Sequence, residues 1–306
     1  MTDQRALLEE IAVSRLVGTV NHAGVRAILK RELTARGFVV MEQRLLARPR
    51  LPLWGPGPAE AVNLIAVRPR ARVLTWLAAH YDSKRQPISM AARLVFAATL
   101  VVALLAASVT LLVGGSTLVL AVPVGVAALF LLLNRVSAGS PGAVDNCSGV
   151  LTVLATVDAL PPDAAVGVVF PDAEEYGLLG AKALLRERAN LLADTALVNF
   201  DGIDDRGGVI AFVHRGGVTV DAIVRALGAR RAGALPVVVD GLVLARGTRE
   251  CVTIMRGDWG TARVVHTPRD TVDRLTLAGV ELVAQAVAGV LRSVPTLKGG
   301  LEATQR

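Results

Sequence analysis

From Leu94 to Leu133 the chain carries no charged residue, and this stretch limits what it can fold into more than any other feature. Gly114 and Gly115 split it into two apolar runs, Leu94–Val113 and Ser116–Leu133. At 1.5 Å per residue the first would reach about 30 Å, the thickness of a bilayer core. A helix packed on a soluble core keeps a polar face, and neither run has one. The reading is a transmembrane helical hairpin with a tight turn at Gly114-Gly115-Ser116. Ala97, Ala103, Ala107 and Gly125 would let its two helices approach closely. Pro123 fits as a kink whose freed carbonyl a neighbouring helix can satisfy. The hairpin also explains a hydrophobic content of 53% and a mean hydropathy of +0.52, both above the ordinary soluble range.

Flanking charge orients the hairpin. Lys84, Arg85 and Arg93 precede it and Arg135 follows, while the turn is uncharged. Both ends are therefore expected on the cytoplasmic side of the membrane. Met1–Glu10 carries Asp3, Arg5, Glu9 and Glu10 without an apolar segment, so no signal peptide is expected there. Cys147 and Cys251 are the only cysteines. No disulfide framework is expected, in keeping with a reducing compartment. The net charge of +7 comes from scattered arginines, such as Arg68, Arg70, Arg72, Arg230 and Arg231, and aromatics make up only 4%. That pattern lacks the interleaved aromatics of a nucleic-acid surface and suits an anionic lipid leaflet.

Outside the hairpin, strands and helices alternate. Helices are expected at Ala6–Leu16, Ala23–Ala35, Gly149–Leu160, Leu178–Glu187, Val220–Leu227 and Leu277–Leu291. Strands are expected at Phe38–Leu46, Ala61–Val67, Arg72–Ala78, Ala165–Phe170, Thr195–Phe200, Gly208–Val213, Val252–Met255 and Ala262–Val265, with a loop at Pro49–Pro58. Such alternation implies an α/β fold, a mixed, mostly parallel sheet between helices. One catalytic domain is then built from residues 1–85 and 139–306, interrupted by the hairpin at 86–138.

Candidate ligands recur at the ends of these elements. They are His80 and Asp82 in AAHYDS, Asp145 in GAVDNCSG, Glu174 and Glu175 in FPDAEEYGLLGA, Asp201 in VNFDG, and His266 in VVHTPRDT. All but Asp145, which precedes a helix, follow an expected strand, and open α/β sheets place their sites at that edge. Two imidazoles with several carboxylates suit zinc. An aspartate shared by two ions would make a two-metal hydrolytic centre. His22 and His214 fit no such pattern and are read as structural.

In these segments the chain resembles the M28-type co-catalytic zinc aminopeptidases. The segments are His80-Tyr81-Asp82-Ser83, Gly142–Gly149, Glu174–Leu178, Asn199-Phe200-Asp201 and His266–Thr271, in that order, and the N-terminal RLVGTVNHAGVRAILKRELTARGFVV is also similar. The resemblance implies two zinc ions. Asp145 would bridge them, Glu175 and His266 would complete one site, and His80 and Asp201 the other. Glu174 would be the general base, and Asp82 would hold His80 in its ligating tautomer. Two features depart from the family. The hairpin separates Asp82 from Asp145, and Gly247-Thr248-Arg249-Glu250 stands where a Ser/Thr-Asp pair is usual. Tyr81 and Tyr176 are the only tyrosines, so none is free to stabilise an oxyanion.

The expected function is a membrane-anchored di-zinc exopeptidase, an aminopeptidase acting on a peptide substrate that is itself membrane-associated. The hairpin could equally be an anchor alone or a contact within a homo-oligomer. Two alternatives stand beside this function. One is a glutaminyl cyclase-like single-zinc enzyme, suggested by His80-Tyr81-Asp82-Ser83-Lys84. The other is an inactive binding subunit that keeps the fold, although no ligand is missing.

Overall fold

The computed structural model describes residues 3–49, 56–133, 135–233 and 237–293. The expected loop Pro49–Pro58 lies mostly outside them. Eight strands form one sheet: β1 (Val39–Ala47), β2 (Ala59–Val67), β3 (Thr75–Ala78), β4 (Val166–Phe170), β5 (Ala196–Ile203), β6 (Gly208–Arg215), β7 (Arg230–Ala232) and β8 (Glu250–Gly257). Their order is β1-β2-β4-β3-β5-β8-β6-β7. The centre, β4-β3-β5-β8, is parallel, and antiparallel pairs join β2 to β4 and β6 to β8. β3 precedes the apolar segment, yet it pairs with β4 and β5, which follow it. The two stretches of chain flanking the hairpin are thus interleaved in one sheet.

Side-chain alternation along the central strands divides the core in two. Leu64, Leu77, Val168, Val198 and Val252 face helices α1 (Gln4–Ile11), α2 (Val20–Ala35), α5 (Gly149–Ala159), α7 (Val218–Ala226) and α10 (Ala278–Ser293). Their neighbours Ile65, Trp76, Val169, Leu197 and Cys251 face α6 (Leu179–Leu192) and α8 (Gly241–Leu244). Both faces are therefore covered, which explains why β4 reads VGVVF with every residue buried. Gly167 is required beside Trp76, because a Cβ there would lie 2.5 Å from the indole ring.

The apolar segment forms two packed helices, α3 (Met90–Leu112) and α4 (Ala121–Leu132), in contact through Phe96 and Phe130. Ser89 caps α3 by accepting from the Ala92 amide. Thr99, Ser108 and Thr110 donate their hydroxyls to carbonyls one turn back, so α3 presents few unsatisfied polar groups along its length. Val101, Val102, Leu105 and Val109 are exposed. Among the described residues one helix, α3, is long and apolar enough to cross a membrane, with mean hydropathy 2.5 in its apolar window. The expected second span differs. Ser116 caps a short 3-10 turn, Thr117–Leu120, and α4 follows with only 12 residues, roughly 18 Å at 1.5 Å per residue. At its root the segment is pinned by an antiparallel bridge between Arg85 and Ser137.

Several boundaries differ from the sequence reading. Ala262–Val265 is not a strand. It lies within and just after helix α9 (Trp259–Val264), which Asp258 and Thr261 start with a reciprocal capping box. β-branched valines mask that helix in the sequence. Helix α1 ends at Ile11 rather than Leu16, and β3 begins at Thr75 rather than Arg72. β7 and α8 are too short to give a periodic signal.

Candidate metal centre

β3 runs directly into His80 and Asp82, and β5 carries Asp201 near its carboxyl end. The loop after β4 presents Glu174 and Glu175. A wide turn, Ala143–Ser148, ahead of α5 presents Asp145, and its Asp145–Asn146 peptide is cis. His266 follows α9 instead of a strand, with φ at +65°. Ala173 and Leu178, on either side of the Glu174-Glu175 pair, also have positive φ. Left-handed backbone at non-glycine residues costs free energy and persists only where its surroundings fix it.

These loops bring the expected residues together in two buried groups. One holds His80, Asp145 and Asp201, the other Asp145, Glu175 and His266, and within each group the ligand atoms lie within 4.8 Å of one another. Asp145 belongs to both. Its Oδ1 is 3.1 Å from His80 Nε2 and its Oδ2 2.9 Å from His266 Nε2. Asp201 Oδ1 is 4.0 Å from His80 Nε2, and Glu175 Oε1 is 3.2 Å from His266 Nε2. Glu174 is likewise buried and lines the same cavity, of about 630 Å³.

The donor set fits divalent cations. Five carboxylates, from Asp82, Asp145, Glu174, Glu175 and Asp201, crowd a buried space. Lys84, 2.5 Å from Glu175 Oε2, is the lysine that pairs with them. Bound cations would offset the negative charge that remains there. Glu175 Oε1, close as it is to His266, accepts no aligned hydrogen bond and remains an orphaned buried oxygen. Nitrogen and carboxylate donors in groups of three are suited to zinc.

Electrostatics separate the carboxylates. Burial raises Glu174 well above the usual range, and Glu175 and Asp201 push it further. Burial also lifts Glu175, but Lys84 and His266 outweigh it and hold that group at about 2. Asp145 is likewise held well below its ordinary value against burial by His266 and His80. Burial carries Asp201 up to about 7. Adjacent glutamates in opposite regimes suit one to exchange a proton and the other to stay ionised.

Behind these residues a second set fixes the loops. Asp82 accepts from the Glu174 and Glu175 amides at 3.2 and 3.1 Å, and its Oδ1 lies 3.4 Å from His80 Nδ1. That last contact is not aligned as a hydrogen bond, so Asp82 holds the Glu174-Glu175 backbone more firmly than it holds the imidazole. Asp270, which the sequence reading gave no role, accepts from the Val144 and Asp145 amides at 2.7 and 3.1 Å. Asn146 bonds the Phe200 carbonyl and accepts from the Gly149 and Gly202 amides, tying the Asp145 turn to the Asp201 strand. Arg15, fully buried, donates to the carbonyls of Tyr81, Pro141 and Gly142 and clamps both roots of the inserted segment.

His22 and His214 lie apart from the site, as expected. His22 bonds Asp172 and stacks on Tyr81, while His214 bonds Thr253. Tyr81 gives its hydroxyl to Val62 and Asp172. Gly247–Glu250 does not line the cavity: Glu250 accepts from the Thr219 and Val220 amides at the start of α7. The acid nearer the site is Asp240, missed by the sequence reading. It is buried without a hydrogen bond to either side-chain oxygen, and burial and neighbouring carboxylates push it up to about 8. An apolar run ending in an acid, VVVDG, was the available signal, and VNFDG at Asp201 has the same form.

Residues 63–291 match the model of peptidase family M28. The chain belongs to this family. Among curated protein sequences none matches significantly. Solved structures agree on the fold at low identity. Glutaminyl cyclase of Porphyromonas gingivalis superposes with a TM-score of 0.63 at 17% identity, covering 94% of this chain and 96% of that one. A Zn-dependent exopeptidase from Parabacteroides distasonis gives 0.62 at 17%, covering 95% and 97%. A leucine aminopeptidase precursor from Bacteroides thetaiotaomicron gives 0.61 at 16%, covering 95% and 96%. The M28 fold of this chain thus recurs in both exopeptidases and cyclases.

Proposed function

We propose that the chain is a membrane-anchored di-zinc exopeptidase, acting as an aminopeptidase on peptides at the cytoplasmic face of a membrane. The observation that carries this reading is Asp145, shared between two buried ligand groups, with Glu174 buried beside them and raised above the usual carboxylate range. His80, Asp145 and Asp201 would hold one ion, and Asp145, Glu175 and His266 the other. Bound zinc supplies Lewis acidity, lowering the pKa of water and polarising the scissile carbonyl. Glu174 takes a proton from the attacking water and delivers it to the leaving amine, a transfer that its raised pKa favours. Asp82 and Asp270 keep the ligating loops in register through backbone amides. Residues 86–138 would be the anchor, α3 crossing the bilayer and α4 returning along it, with Lys84, Arg85, Arg93 and Arg135 on the cytoplasmic side. Residues 1–85 and 139–306 would form the single catalytic domain.

A second reading is a glutaminyl cyclase-like enzyme. The similarity to cyclase structures and the His80–Lys84 segment favour it. Detergent-purified protein incubated with a mixed peptide library separates the two by mass spectrometry. Zinc-dependent loss of N-terminal residues, abolished by Glu174→Gln, is the expected result. Cyclised N-terminal glutamine without cleavage would replace the proposal with the second reading.

A further inference from the structure

The inserted segment does more than extend from the fold, because its first turns form one wall of the cavity. Met90, Arg93 and Leu94 of α3 line the same space as the proposed metal ligands. Most of the remaining wall is apolar, including Ile210, Met255 and Val265. Of the three arginines in this wall, Arg93, Arg230 and Arg256, Arg93 is the one that lies beside a proposed ligand. Its Nη1 donates to Gln86 Oε1 at 2.5 Å and lies 3.5 Å from His266 Nδ1, on the opposite side of the ring from Asp145 and Glu175. Its Nε is buried and makes no hydrogen bond, and among the described residues Arg93 makes no ion pair. Glu175 is committed to Lys84 and faces His266.

A partly buried guanidinium with spare donors, facing an apolar cavity, calls for an anion. We infer that Arg93 binds the free carboxylate of the substrate, so that the site takes short apolar peptides whose C-terminus lies close to the cleaved bond. This rests on the hydrolase reading above and names its substrate class. Arg93 contacts the backbone side of His266 rather than the carboxylate cluster, so it binds the distal end of the substrate and leaves the reacting carbonyl to the metal side. The apolar walls accommodate the side chains, and the inserted helix supplies the specificity.

The test compares Leu-Leu with Leu-Leu-amide on wild-type protein and on Arg93→Gln and Arg93→Lys. A charge-assisted hydrogen bond corresponds to roughly a 10–100-fold preference. The wild type is expected to show that preference for the acid in KM. Arg93→Gln should remove it with little change for the amide, and Arg93→Lys should keep part of it. Calorimetric binding of both peptides to Glu174→Gln protein, with and without Arg93→Gln, reads the same preference without turnover. Absence of turnover with preserved acid preference in binding would count against the hydrolase reading alone. Acid and amide bound alike, or both weakened alike by Arg93→Gln, would overturn the assignment. So would an Arg93→Gln effect confined to binding of phosphatidylglycerol vesicles, which would assign the guanidinium to lipid phosphate.

Discussion

The loops at the sheet edge and the inserted helices occupy adjacent stretches of chain and are built on opposite principles. In the loops the supporting side chains are polar, buried and tied to backbone: Asp82 by two amides, Asp270 by two more, Asn146 by contacts to two loops. In the hairpin nearly every side chain is apolar, only 6% of the most apolar window of α3 is buried, and the hydroxyls bond back to their own helix. The first arrangement gains from fixed geometry around charge, the second from a solvent that would accept apolar surface. They meet where the inserted segment leaves the fold: Gln86 donates its amide to the His266 carbonyl, and Arg93 in the first turn of α3 lies against the His266 ring.

That contrast can be broken from either side. Glu174→Gln should cost about 10²–10⁴-fold in turnover, the range for a general base. Melting temperature should not fall, since burial already disfavours the Glu174 charge. A parallel loss of melting temperature would make Glu174 a structural residue. In the core, Leu151→Ala should destabilise by about 2–5 kcal/mol, because that side chain is fully buried in the larger half of the core. Exposed Leu105→Ala in the hairpin should cost under about 0.5 kcal/mol in detergent. Urea or thermal unfolding of the pair checks both, and equal costs would erase the distinction between regions. Asp270→Asn should weaken zinc binding by about 10–100-fold, as expected for a residue orienting a ligand from behind.

A smaller, pH-dependent effect sharpens the comparison. Asp240 rises from 3.8 unfolded to about 8 in the fold. Its proton is therefore retained by the folded chain between those values. The stability it contributes is full below about pH 4 and is lost as pH rises towards 8. Chelated protein should melt at lower temperature as pH rises through that window, and Asp240→Asn should flatten the trend. An unchanged slope in Asp240→Asn would place the titration elsewhere.

Much of this was legible in the sequence because the ligating residues sit in short, locally determined contexts. Apolar strands that stop at an acid or a histidine located His80, Glu174, Glu175 and Asp201, and the structure brings them to one cavity. What escaped was the structure that depends on distant partners. The valine-rich segment before His266 looks extended, but a capping box at Asp258 makes it helical. Asp270 acquires its role only when the Asp145 turn lies above it. Asp240 precedes a four-residue helix that leaves no periodic trace. In the hairpin, hydropathy reported the apolar content of the second run but not its interruption by the Ser116-capped turn.

Zinc stoichiometry tests the central claim most directly. Protein dialysed against zinc and then metal-free buffer, analysed by inductively coupled plasma mass spectrometry, is predicted to hold about two ions per chain. Asp145→Ala should lose both, whereas His80→Ala and His266→Ala should each keep one. A single ion that survives His80→Ala and Asp201→Ala would contradict the shared-aspartate centre.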